Sequence, residues 1–163
     1  MFELHHLTAQ EQWDWLQRGE ISPMELTAHY LDRIARLDAG LGAFVTVTAS
    51  AAVARAREVA ESLPRSAPLW GLPFADKDLV PRAGVRTTFG SRLFSEHVPE
   101  ESDELVTVLD AAGGVSLGKT NTPEFGLPSY TENLVASPAR NPYDLALGAG
   151  GSSGGAAVAV AAG

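Results

Sequence analysis

Two lysines stand among ten arginines in this chain, and both lie in segments whose residue types could do chemistry. A guanidinium stays charged at any working pH, whereas an amine can lose its proton and serve as a base. Lys119 falls in "GGVSLGKT" (113–120), which fits G-x-x-x-x-G-K-[ST] with Gly113, Gly118, Lys119 and Thr120 in the fixed places. That pattern is the one that cradles nucleotide phosphates. Lys77 falls in "LPFADKDLV" (72–80), where alternation puts Phe74, Asp76 and Asp78 on one face and Ala75, Lys77 and Leu79 on the other. A further stretch, "GAGGSSGG" (148–155), sets Ser152 and Ser153 between glycine pairs. It is either a flexible linker or a backbone with unusual torsions beside exposed hydroxyls.

Flanking elements decide between these readings. A phosphate loop needs a buried strand before it and a helix that starts at its lysine, so that free N–H groups face the phosphates. Here an amphipathic segment, "DELVTVLDAA", precedes Gly113, and Val115 and Leu117 are themselves strand-like. Asn121-Thr122-Pro123 interrupts any helix after Gly118, because the residue before a proline is pushed out of the helical region. The segment therefore predicts a helix–turn–strand junction, with Gly113-Gly114 as the helix stop. The alternative, a nucleotide-binding module using Gly113–Thr120, would need both flanks to be otherwise. The serine-bearing stretch runs straight into "AAVAVAAG", which suits a buried helix of small residues better than a linker.

On these segments the chain resembles the amidase signature family. "NPYDLALGAGGSSGGAAVAVAAG" (141–163) resembles the family's glycine/serine signature, and "GLPFADKDLVPRAGVRTTFGS" (71–91) its lysine-bearing segment. "GGVSLGKTNTPEFG" (113–126) resembles the segment that joins them. The resemblance implies a Ser–cis-Ser–Lys triad that cleaves amides, and in some members esters, through an acyl-enzyme. Lys77 would be the base and Ser152 the bridging serine after a cis Gly151–Ser152 bond, with Gly151 and Ser153 in support. Such a non-proline bond is strained and persists only where its surroundings enforce it. Gly126 and Leu127 would border the acyl pocket. A close alternative within the resemblance is the A-type subunit of a glutamyl-tRNA amidotransferase, which shares the triad but passes ammonia to a partner.

The family's acyl-forming serine lies roughly two dozen residues beyond the bridging one, with oxyanion-hole N–H groups beside it. Eleven residues follow Ser152, so the nucleophile is expected past Gly163 and the 163 residues alone are expected to be inactive. Residues 1–163 would then be the N-terminal portion of one amidase domain: a mainly helical opening region (1–68) and the start of the catalytic core (69–163). A naturally short, catalytically empty binding module is the other expectation. Two positions depart from the family: Asp76 where an aliphatic residue is usual, and Gly148-Ala149 ahead of the glycine pair. A carboxylate close to Lys77 would favour the charged amine, although strand geometry points Asp76 away.

The elements that must position these groups are partly readable. Thr8 and Glu11 form a capping box for a helix that Gly19 ends. Ser22, Pro23 and Glu25 open a second, with Leu26, Tyr30, Leu31, Ile34 and Leu37 as its apolar stripe and Gly40 and Gly42 as its stop. Residues 43–48 predict a short strand, 49–62 a third helix and 63–68 a linker-like break. Residues 72–80 predict a strand, and 102–113 a capped helix with Leu105, Val108, Leu109 and Ala112 on one face. Residues 115–119 predict another strand, followed by irregular chain through 142 and helix again at 154–162. The fold class is α/β: N-terminal helices, then part of a mixed sheet covered by helices, an incomplete α/β/α arrangement.

Composition narrows the partners. A net charge of −8 with scattered basic residues offers no stripe for nucleic acid or an anionic membrane. Without cysteine there is no disulfide or thiolate metal site, which fits a reducing cytoplasm. His5, His6, His29 and His97 lack metal-ligand spacing and are expected at the surface, so no metal or cofactor is expected. Glu100, Glu101, Asp103 and Glu104 predict a solvated loop and helix start, and Trp13, Trp15 and Trp70 predict packing. Lys119 is expected to end its strand near Asn121 and Glu124, both bonded locally. The expected partner is a small-molecule amide, with a homodimer as an open assembly state.

Overall fold

A computed structural model describes residues 3–163, and its helices begin where side chains can satisfy their free N–H groups. In α1 (Ala9–Arg18) the Thr8 hydroxyl accepts from the Glu11 amide at 3.2 Å, and the Glu11 carboxylate accepts from the Thr8 amide at 2.7 Å. Ser22 and Glu25 repeat this box at α2 (Pro23–Leu41). This helix passes through Gly40 and stops at Gly42, the second of the two expected stop glycines. The Gly42 amide donates to the Asp38 carbonyl at 2.8 Å, and the Asp38 carboxylate then accepts from Ala43 and Phe44, which places the stop. Gly42 has φ 62°, and a Cβ there would lie 2.5 Å from the Pro138 carbonyl oxygen.

β1 (Phe44–Val47) leads into α3 (Ala49–Ser62), and after the break at 63–68 comes β2 (Pro73–Lys77). α4 (Glu104–Ala111) then turns at Gly113-Gly114 into β3 (Val115–Thr120), buried along its whole length. The sheet order is β1-β3-β2, with β1 antiparallel and β2 parallel to β3. α2 and α3 pack together, and α3 lies on β3. The core joins Leu16, Leu26, Ala56 and Val59 from the helices to Trp70, Val115 and Leu117. The Trp70 indole N–H donates to the Val59 and Leu63 carbonyls, so burial leaves it satisfied.

Three expectations are corrected. β2 ends at Lys77 rather than Val80, because Val80 N–H turns back onto the Lys77 carbonyl at 2.9 Å. α4 buries Val106 and leaves Leu105 and Val108 exposed, since Asp103, bonded to Pro81, and Asp110, held by Arg82, set its phase. The chain before the glycine cluster is not wholly irregular: β4 (Arg140–Asn141) and β5 (Asp144–Gly148) form a small antiparallel hairpin. α5 (Gly154–Ala161) follows it, burying Gly154, Gly155 and Val158 while Val160 faces outward.

Candidate active site

Lys77 ends β2 and Ser152 lies in the loop before α5, yet the Lys77 Nζ donates to the Ser152 Oγ at 3.0 Å. Strand pairing delivers the lysine: Asp76 and Lys77 lie in parallel register with Lys119 and Thr120, after a bulge that follows Phe74. The serine loop is carried by hydroxyls. Thr131 Oγ1 donates to the Gly151 carbonyl at 2.8 Å and accepts from the Gly154 amide at 2.9 Å. Thr122 Oγ1 donates to the Ser152 carbonyl at 3.1 Å. Both threonines are fully buried. Sequence reasoning missed them, and nothing in their local pattern marks a hydroxyl that bonds backbone far along the chain.

Desolvation lowers the Lys77 pKa from the ordinary lysine value of 10.5, the direction a base requires. The neighbouring carboxylate does not oppose this. Asp76 points to the other face of β2, where it accepts from Arg82 at 2.7 Å and from the Ser116 hydroxyl at 2.8 Å. Arg82 also reaches Asp110, so the buried carboxylate is paired and hydrogen-bonded.

The other predicted site residues fall as follows. Among the described residues no peptide bond is cis, so the Gly151–Ser152 bond is trans, correcting the geometry that the resemblance implied. The chain turns instead through Gly151 at φ 78°, where an added Cβ would meet nothing within 4 Å. Glycine reaches that torsion freely. Ser153 is the exposed N-cap of α5, with no capping bond from its side chain. Gly126 has φ 71° and packs against Leu79, two residues past Lys77, while Leu127 is exposed.

The phosphate-loop look-alike is a strand. Lys119 is fully buried and donates from Nζ to the Val80 carbonyl, so it has no path to a phosphate. Gly118 serves close packing, since a Cβ there would lie 2.1 Å from the Thr46 carbonyl oxygen. Neighbouring Asn121 does not bond only locally as expected: its amide donates to the distant Gly42 and Ser137 carbonyls. Glu124 likewise reaches across to accept from Ser91. His5 is not a surface residue; it stacks on His29 and is largely covered. Among the described residues no three His, Cys, Asp or Glu side chains are grouped to hold a metal ion. No described helix is long and apolar enough to cross a membrane.

The Amidase family profile matches residues 25–163. The chain is 48% identical over 162 residues to the A subunit of a glutamyl-tRNA(Gln) amidotransferase from Desulforapulum autotrophicum, covering 98% of this chain and 33% of that protein. It superposes on 6-aminohexanoate cyclic dimer hydrolase with a TM-score of 0.88 at 31% identity, covering 98% of this chain and 33% of the other. It superposes on the A subunit of the glutamyl-tRNA(Gln) amidotransferase from Thermotoga maritima with a TM-score of 0.78 at 34% identity, covering 98% and 33%. The chain therefore spans about a third of the length of the relatives it matches.

Proposed function

The chain belongs to the amidase signature family, and on that premise we propose that it is the N-terminal part of an enzyme that cleaves carboxamides through an acyl-enzyme. Lys77 is the base and Ser152 the relay. The observation that carries this reading is the 3.0 Å contact between an amine held below its ordinary pKa and a serine hydroxyl 75 residues away. In the reaction a serine from the sequence beyond Gly163 attacks the amide carbon and gives its proton to Ser152 Oγ. The Ser152 proton passes to neutral Lys77. The leaving amine recovers a proton along the same path, and water then releases the acyl group. Each transfer needs its partners in hydrogen-bond reach, which the Lys77–Ser152 pair meets.

A second reading is favoured by the 48% identity to the amidotransferase relative: the same half-reaction on glutamine, with ammonia passed to a partner protein. Ammonia release by the full-length protein distinguishes the two. A stand-alone amidase turns over simple amides by itself, whereas an amidotransferase component depends on its partner and on glutamine. Under either reading Lys77→Met and Ser152→Ala each lower turnover by about a hundred- to ten-thousandfold. Unchanged turnover in Lys77→Met would remove the lysine from the mechanism.

A further inference from the structure

Lys119 heads the fully buried side chains of the described residues, and the chemistry above does not use it. A buried amine is costly unless a partner compensates for its lost water. Its partner is the Val80 carbonyl, and Val80 closes the turn that Lys77 opens. Asp78, inside that turn and fully buried, is tied through its backbone and one carboxylate oxygen, while its Oδ1 has no hydrogen-bond partner. Its amide donates to the Thr120 carbonyl at 3.0 Å, and its carbonyl accepts from the Phe89 amide at 3.1 Å. Its carboxylate accepts from the Thr88 amide at 3.0 Å and from the Thr88 hydroxyl. Strain gathers at the same place. Phe89 and Phe125 both have positive φ, at 53° and 52°, and the Phe125 amide donates to the Phe89 carbonyl at 2.7 Å. Such torsions persist in large residues only where the surroundings over-determine them.

We propose that Lys119 is a positioning residue for Lys77: with Thr88 on the other side, it fixes the turn 77–80 so that the Lys77 amine stays aimed at Ser152 and sheltered from water. The proposal rests on the reading of Lys77 as a base. Burial disfavours the Lys119 cation and lowers its pKa; of the charged groups around the turn, Asp78 and Asp76 favour the cation, Arg82 opposes it, and Arg86 acts on Asp78. Removing the Lys119 amine orphans the Val80 carbonyl, and the turn relaxes to find water. Lys77 then gains water too, and its proton is held more tightly.

The test uses the full-length protein and trace acetic anhydride, with labelling of the Lys77 peptide followed by mass spectrometry as pH is raised. The unsubstituted protein has a labelling midpoint below 10.5. Lys119→Met and Thr88→Val each raise that midpoint by about one unit, a tenfold loss of neutral amine at any pH below both midpoints. Thermal melts confirm that each variant is folded at the labelling temperature; if Lys119→Met is not, Lys119→Gln, a shorter donor, replaces it. A midpoint that stays put in both variants overturns the proposal. So does a rise confined to Lys119→Met, because Thr88→Val removes no cation and the effect would then be one of charge alone. A midpoint at 10.5 in the unsubstituted protein strikes instead at Lys77 as the base.

Discussion

An amine accepts a proton only in its neutral form, so if Lys77 is the base, as proposed, its pKa governs how much of the protein is active at a given pH. Burial lowers that pKa below 10.5, and the carboxylate next in sequence is held elsewhere by Arg82 and Ser116. The sign for rate and the sign for stability agree. Turnover rises with pH through the folded-state pKa as the amine becomes neutral. Between that pKa and 10.5 the unfolded chain binds more protons than the folded one, so the penalty of burying Lys77 also disappears as pH rises. The expected kcat/KM profile has an ascending limb with its midpoint below 10.5, absent from the residual rate of Lys77→Met. A rate that is flat with pH up to the ordinary lysine range would show that no lysine proton is lost in the mechanism.

The site exists because α5 comes close to the end of β3, and glycine permits the approach. A Cβ at Gly155 would lie 2.3 Å from the Asn121 amide nitrogen and 2.5 Å from the Ala43 carbonyl oxygen; one at Gly154 would lie 2.3 Å from Thr131 Oγ1. Gly155→Ala must push α5 away and carry Ser152 off Lys77. The expected result is a loss of about 1–3 kcal/mol in urea unfolding, with kcat falling by far more than that fraction of stability. Turnover close to normal in a folded Gly155→Ala protein would mean that helix placement does not set the site. The same contrast between local and distant contacts explains what was legible in the sequence. Thr8, Ser22 and Gly19 declare helix ends because a cap bonds within one turn of itself, and α3 fell at its expected bounds. Alternation located β2 but overran its end, which a turn bonded to β3 sets. Apolar periodicity gave α4 the wrong face, since Arg82 and Pro81 fix its phase from outside. Lys77 and Ser152 could be paired only through family resemblance, because neither residue type announces a contact 75 positions away.

At the scale of the molecule, the surface is unusual for a chain of this charge. Leu127, Leu134, Tyr143 and Val160 are each 80% exposed or more, and the hairpin of β4 and β5 shows Leu145 and Leu147 as well. An apolar concavity of about 690 Å³ opens between α2, the sheet and α5, lined by Tyr30, Ile34, Phe44, Leu72, Phe74 and Leu117. Exposed apolar surface of this kind marks a contact site, and further sequence of the same protein is the occupant the proposed function implies. Relatives three times as long offer that protein, and about two-thirds of their length lies outside the match. Two effects compete if the 163 residues are made alone. Exposed apolar area favours association, while a net charge of −8 keeps copies apart at low salt. A dye that reports apolar surface is insensitive to that repulsion, so it is the better measurement. The 163-residue chain is expected to bind Nile red, an uncharged dye, strongly and to associate as salt screens its charge, whereas the full-length protein binds little dye. If the short chain stays monodisperse at high salt and leaves the dye dark, the concavity is closed by the chain's own side chains, and the proposal that further sequence completes this fold fails.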